Sequence, residues 1–145
     1  MPSNRRTLAI DYGERRVGLA LSDELGIIAS GIGTLDNDAA LFARLMRLLE
    51  ERAVACIVIG LPLTLRGVEG AIAKKVHAFA EQLRTASQLP VELIDERFTS
   101  SMAVQTIRDM GVGRKKRRDK GKIDEVAAII LLQGYLDSKK NTAGV

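Results

Sequence analysis

The chain has little of what marks secreted, membrane-bound or thiol-based proteins. Its 145 residues include one cysteine, one histidine, three prolines and no tryptophan, with two tyrosines and three phenylalanines. A single cysteine, Cys56, can form neither an internal disulfide nor a thiolate metal cage, and its place in the apolar run Ala55 to Ile59 reads as a core thiol. His77 has no second histidine with which to share a metal or relay a proton. The methionines and scarce aromatics read as packing, which leaves little for base-stacking readout. No apolar stretch approaches the roughly 20 residues of a membrane helix. The opening Met1-Pro2-Ser3-Asn4-Arg5-Arg6 runs into a short apolar strand without the pattern of a signal peptide, so the expected location is the cytoplasm.

What is present is the balance of a soluble globular protein, 46% hydrophobic and 28% charged, at a length that suits one α/β domain over 1–145. The net charge of +4 is unevenly spread. Arg114, Lys115, Lys116, Arg117, Arg118, Lys120 and Lys122 surround one acid, Asp119, giving +6 locally and leaving −2 on all other residues. A cationic loop over 111–122 on an acidic body suits a protein that grips a phosphate backbone in one place and keeps carboxylates elsewhere. A solvated loop is the plain alternative.

Three strand-like segments, Thr7 to Asp11, Val17 to Asp23 and Ile27 to Leu35, are separated by glycine-containing turns and predict an antiparallel meander. Helical spacing begins at Asp38, with Leu41, Leu45, Leu48 and Leu49 on one stripe, Asp36 or Asn37 as N-cap, and an end near Arg52. Ala55 to Ile59 reads as a central strand covered on both faces. Ile72, Val76, Phe79, Ala80 and Leu83 predict a second helix, and Val91 to Asp95 a further strand. A helix from about Thr99 to Arg108 and a last one from about Ile123 to Asp137 follow, the latter with Ile123, Val126, Ala127, Ile130 and Leu131 as its apolar stripe. A disordered tail is expected over 138–145. This order predicts a mixed sheet with helices on both faces.

Acids close or open these elements: Asp11 ends the first strand, Glu96 follows the last, and Asp124 opens the final helix. Carboxylates gathered at strand and helix ends repel one another unless a cation neutralises them. Oxygen-only ligands suit Mg²⁺ or Mn²⁺, and a pair of such ions suits phosphodiester hydrolysis. Each acid also has a simpler role: Asp11 in a turn, Glu96 beside Arg97, Asp124 on a helix dipole. The shared face of Asp124 with Ala127, Ala128 and Leu131 favours the joint reading, because that face should press on the sheet. Asp95 should point away from Glu96 in a regular strand. Arg15 and Arg16 at the first turn are candidate phosphate contacts, as are Thr99 and Ser100 at a helix start and Arg97 beside them.

Ala9-Ile10-Asp11-Tyr12-Gly13-Glu14-Arg15-Arg16-Val17-Gly18 with Ser22-Asp23, then Gly60-Leu61-Pro62-Leu63, Asp95-Glu96-Arg97-Phe98-Thr99-Ser100 and Asp124-Glu125-Val126-Ala127-Ala128 together resemble the bacterial YqgF family, also called RuvX, relatives of the Holliday-junction resolvases. The match spans almost the whole chain. The resemblance implies an RNase H-like fold with a mixed five-stranded sheet, metal-dependent cleavage of nucleic acid, and catalytic acids at Asp11, Glu96 and Asp124 holding divalent ions. It implies maturation of the 5′ end of the small-subunit ribosomal RNA precursor, with junction resolution as the rival. Ala9 and Ser100 depart from the glycine and threonine frequent at those positions.

Two other classes compete. An Asp-x-Gly turn also approaches phosphates in actin-like and sugar-kinase ATPases, but those close two such domains around ATP. A non-catalytic nucleic-acid-binding module would have no need of all three acids. The expected partner is nucleic acid, and the expected state is a monomer or weak homodimer, since resolving a junction would call for two sites related by symmetry.

Overall fold

The computed structural model describes residues 6–62, 70–95 and 120–143. Alternation of side chains sets the sheet. In β1 (Arg6–Asp11), Leu8 and Ile10 face one side while Ala9 packs on the other. Strand β2 (Arg16–Ser22) sends Val17, Leu19 and Leu21 to the side of Leu8 and sends Ala20 to the side of Ala9. With β3 (Ala29–Asp36) these form the expected antiparallel meander. Strands β4 (Val54–Leu61) and β5 (Val91–Asp95) add in parallel, giving the order β3-β2-β1-β4-β5. The α/β class and the mixed five-stranded sheet are those the sequence implied.

Helix α1 (Leu41–Glu51) buries Leu41, Leu45 and Leu49, and α2 (Ala71–Ser87) buries Ala73, Val76, Phe79, Ala80 and Leu83. Both cover the Leu8 side, where Ile57 and Ile59 of β4 complete a core of large side chains. Phe79 stands tilted against Tyr12 and Phe42, with ring centroids 5.1 and 5.3 Å away. Among the described residues, the last helix, α3 (Lys120–Ala143), is what covers the other side, setting Ala128, Leu131, Leu132 and Leu136 on Ala9, Ala20 and Val58.

Several boundaries differ from expectation for identifiable reasons. Strand β3 starts at Ala29 because the N–H groups of Ile27 and Ile28 donate to the Asp23 carboxylate, at 2.7 and 3.0 Å, closing the hairpin. Neither Asp36 nor Asn37 caps α1. Asp36 ends β3, Ala40 is the N-cap residue, and the Asn37 amide instead donates to the Gly13 carbonyl at 2.8 Å, bracing the β1–β2 turn. Ile72 lies exposed in the first turn of α2, and Ala73 takes the buried place. Cys56 is only half-buried, its thiol 3.2 Å from the Thr7 hydroxyl. Helix α3 is longer than expected at both ends. It takes in Lys120 and Lys122 from the expected loop and continues through Ala143, where a tail was expected. Its buried stripe is Ala127, Ala128, Leu131, Leu132 and Leu136; Ile123, Val126 and Ile130 are only partly buried. The run Val126 to Leu132 is apolar all round, so period alone does not choose a face. The shallow alanine-lined sheet surface selects the two alanines. The expected helix over 99–108 lies outside the described residues.

Candidate active site

The site forms where β1 ends and α3 begins. Asp11 is the last residue of β1 and, by alternation, stands on the same face as Ala9, beneath α3. Across the antiparallel pair its partner is Gly18. Gly18 is where α3 descends onto the sheet: a Cβ there would overlap the Asp124 carbonyl and sit 2.8 Å from the Glu125 nitrogen. Only glycine admits the helix this close. Asp124 is thereby carried to the strand opposite Asp11, with Ala127, Ala128 and Leu131 of the same helix buried against the sheet as the sequence suggested.

The turn linking β1 to β2 is equally tight, since a Cβ on Gly13 would overlap the Arg16 carbonyl oxygen. Its two arginines diverge. Arg15 is exposed. Arg16 is half-buried, its Nε 3.5 Å from the Asp124 carboxylate. Burial raises the Asp124 carboxyl above the usual aspartate range, and the Arg16 guanidinium pulls it part of the way back. Arg16 is therefore first a counter-ion of the acid, a role that a local reading of the turn misses because the partners lie 108 residues apart.

Sequence leaves open whether Glu125, next to Asp124, assists at the site. Its carboxylate turns away from Asp11 toward the edge strand, where the Gly33 N–H donates to Oε2 at 2.6 Å. Asp95 ends β5 on the face of Val91 and Leu93, opposite to the α3 face. Gly60 lies buried in β4, paired with Ile94. Glu96, Arg97, Thr99 and Ser100, with Arg114, Lys115, Lys116, Arg117 and Arg118, lie outside the described residues. The backbones of Lys120 and Lys122 lie in the first turn of α3, just before Asp124. His77 is exposed on α2.

Asp11 and Asp124 present carboxylate oxygens, with neither thiol nor imidazole among them, and burial raises the second above the usual aspartate range. That donor set fits a hard divalent cation. It can also hold a water against a phosphodiester.

This architecture, a meander extended by two parallel strands with a helix bringing an acid to the end of β1, defines an RNase H-like α/β domain. Two solved structures of Thermus thermophilus RuvC share it. One, without substrate in its description, aligns with a TM-score of 0.59 at 12% identity over 94% of this chain and 97% of that one. The other, in complex with a Holliday junction substrate, aligns at 0.58 and 14% over 94% and 96%. More specifically, the chain belongs to the RuvX family, described as Holliday junction resolvase, whose profile matches residues 5–138. A relative from Chloroflexus aurantiacus is 44% identical over 92% of this chain and 88% of its own length. One from Chlorobium chlorochromatii is 40% identical over 97% and 100%. Both carry names assigning them, provisionally, to nuclease action on pre-16S rRNA.

Proposed function

We propose that the chain is a divalent-metal-dependent nuclease that processes the 5′ end of pre-16S rRNA in the cytoplasm. The observation that carries this reading is the seating of α3 on Gly18, which puts the half-buried Asp124 on the strand paired with Asp11. Asp11, Asp124 and Glu96 would hold Mg²⁺ or Mn²⁺, in the two-ion manner common to phosphodiester hydrolysis. The ions would supply positive charge for activating water and stabilising the departing oxygen. The rest falls to the protein. Asp11 and Asp124 orient the attacking water, Arg16 offsets part of the burial that raises the Asp124 carboxyl, and the exposed Arg15 draws in the phosphate backbone. The cluster Arg114 to Lys122, with Arg97, Thr99 and Ser100, would bind the flanking backbone by charge rather than by base identity. The absence of any helix long and apolar enough to cross a membrane among the described residues agrees with a cytoplasmic substrate.

Junction resolution is a second reading, favoured by the description of the matching family. The deciding experiment is cleavage of a labelled precursor-rRNA fragment and a four-way DNA junction side by side, with Mg²⁺, Mn²⁺ or chelator, by wild type and Asp11→Asn. The expected outcome is metal-dependent cutting of the rRNA fragment that falls about a thousand-fold in Asp11→Asn, the loss of several kcal/mol of ion-mediated stabilisation, with binding kept. Preferential cutting of the junction would select the resolvase reading. Salt-sensitive binding with no cutting of either would reduce the chain to a binding module.

A further inference from the structure

We infer that Glu125 is a positioning residue: its carboxylate fixes the second turn of α3 to the bulge in β3 and so determines where Asp124 stands. The inference rests on the nuclease reading for its consequence and on geometry alone for its cause. Neighbouring residues of a helix point roughly 100° apart, so the two acids serve different directions. Asp124 meets Arg16 at the β1–β2 end, while Glu125 reaches the edge strand.

The edge strand is shaped to receive it. Leu19 pairs with Gly33 and Ala20 with Gly31, leaving Ile32 as the extra residue of a bulge. Gly33 adopts φ +98°, a left-handed conformation that favours glycine, and its N–H donates to Glu125 Oε2 at 2.6 Å. Gly31 lies under the same side chain: a Cβ there would stand 2.8 Å from Glu125 Cγ, Cδ and Oε2. Gly18 lies under the peptide that joins Asp124 to Glu125. That peptide is thus gripped from below by Gly18 and from the side, through Glu125, by the bulge.

A second tie exists two turns further along α3. Gln133 accepts from the Ala29 N–H and donates to the Ile27 carbonyl, both at 2.9 Å. With Gln133 and the buried Leu131, Leu132 and Leu136 in place, loss of Glu125 should leave α3 docked but the turn that carries Asp124 loose. A shift of about 1 Å at a reacting group costs on the order of a hundred-fold in rate, and partners that orient a metal ligand are worth about 10–100-fold in metal affinity.

The competing role for Glu125 is that of a further metal ligand, and Glu125→Gln against Glu125→Ala separates the two. Glutamine keeps an acceptor oxygen for Gly33 but no charge. Three measurements apply to both variants and the wild type: thermal unfolding, Mn²⁺ titration, and kcat and KM on the labelled precursor-rRNA fragment. In metal-free protein, the side-chain carboxyl ¹³C resonance of Asp124 reports its surroundings directly. Expected are a resonance unmoved in Glu125→Gln and moved in Glu125→Ala, Mn²⁺ affinity within about threefold of wild type for glutamine and at least about tenfold weaker for alanine, and an alanine defect in kcat rather than KM, in folded protein. Glutamine as damaging as alanine would make Glu125 a ligand. An alanine variant with the wild-type resonance would overturn the inference. Because the resonance needs neither metal nor substrate, a wild type that cuts nothing would defeat the nuclease reading while leaving this one decided.

Discussion

The two faces of the sheet are built on opposite principles. One carries Leu8, Ile10, Val17, Leu19, Ile57 and Ile59 and is covered by two helices. The other carries Ala9, Gly18, Ala20 and Gly31 along the path of α3. Large interlocking side chains hold α1 and α2 at a distance and contribute most of the buried apolar area. Small residues let the backbone of α3 settle on the strands, so the Asp124–Glu125 peptide is held by close backbone contact at Gly18 and by the Glu125 carboxylate on the Gly33 N–H. A carboxylate that must meet another within fractions of an ångström is better carried by the second construction. One face supplies stability, the other placement.

The sharpest break of this comparison is Gly18→Val. Its side chain must displace the Asp124–Glu125 peptide, so we expect cleavage of the rRNA fragment to fall by about a hundred-fold and stability by about 1–3 kcal/mol. Leu45→Ala on the opposite face should do the reverse. Leu45 is fully buried, and its truncation should cost about 2–5 kcal/mol in chemical denaturation while cleavage per folded molecule stays at the wild-type level. If Leu45→Ala also weakened Mn²⁺ binding, the faces would not be independent and the division proposed above would fail.

The large-residue face is also the one that sequence shows best. Leu41, Leu45 and Leu49 recur at helical spacing, and Leu8 with Ile10 alternates with Ala9, so period and polarity identify α1 and β1 without coordinates. The small-residue face is harder to see, because Gly18 and Gly31 each read as a turn or a weak strand position. Only the register, Asp11 with Gly18 and Ala20 with Gly31, reveals that they share a surface. Asp11 stands out in sequence as an acid closing an apolar strand, whereas Asp124, expected to open the last helix, lies four residues inside it because α3 begins at Lys120. The partnership of Arg16 with Asp124 and the turning of Glu125 to Gly33 were not legible, since nothing local encodes a contact that spans roughly two thirds of the chain. Adjacent acids at the start of a helix look alike in sequence and differ only in what each faces.

The smallest effect tests the charge that placement leaves on the helix. Burial raises the Asp124 carboxyl above its ordinary value of 3.8, and Arg16 offsets this only in part. A carboxyl whose folded pKa is raised stabilises the fold fully at pH below its unfolded value, and that contribution disappears as pH rises through the folded value. The folded state therefore tolerates the ionised form of this group less well than the unfolded chain does. Asparagine cannot ionise and escapes this. Metal-free Asp124→Asn should melt above the wild type at pH 7, by an amount that shrinks as the solution is acidified and vanishes below about pH 3.8. Adding Mg²⁺ should reverse the order, because the ion binds the folded wild type and stabilises it by mass action. A variant that melts below the wild type at pH 7 without metal would mean that the Arg16 pair outweighs burial, and that the close seating of α3 carries no electrostatic strain for a cation to relieve.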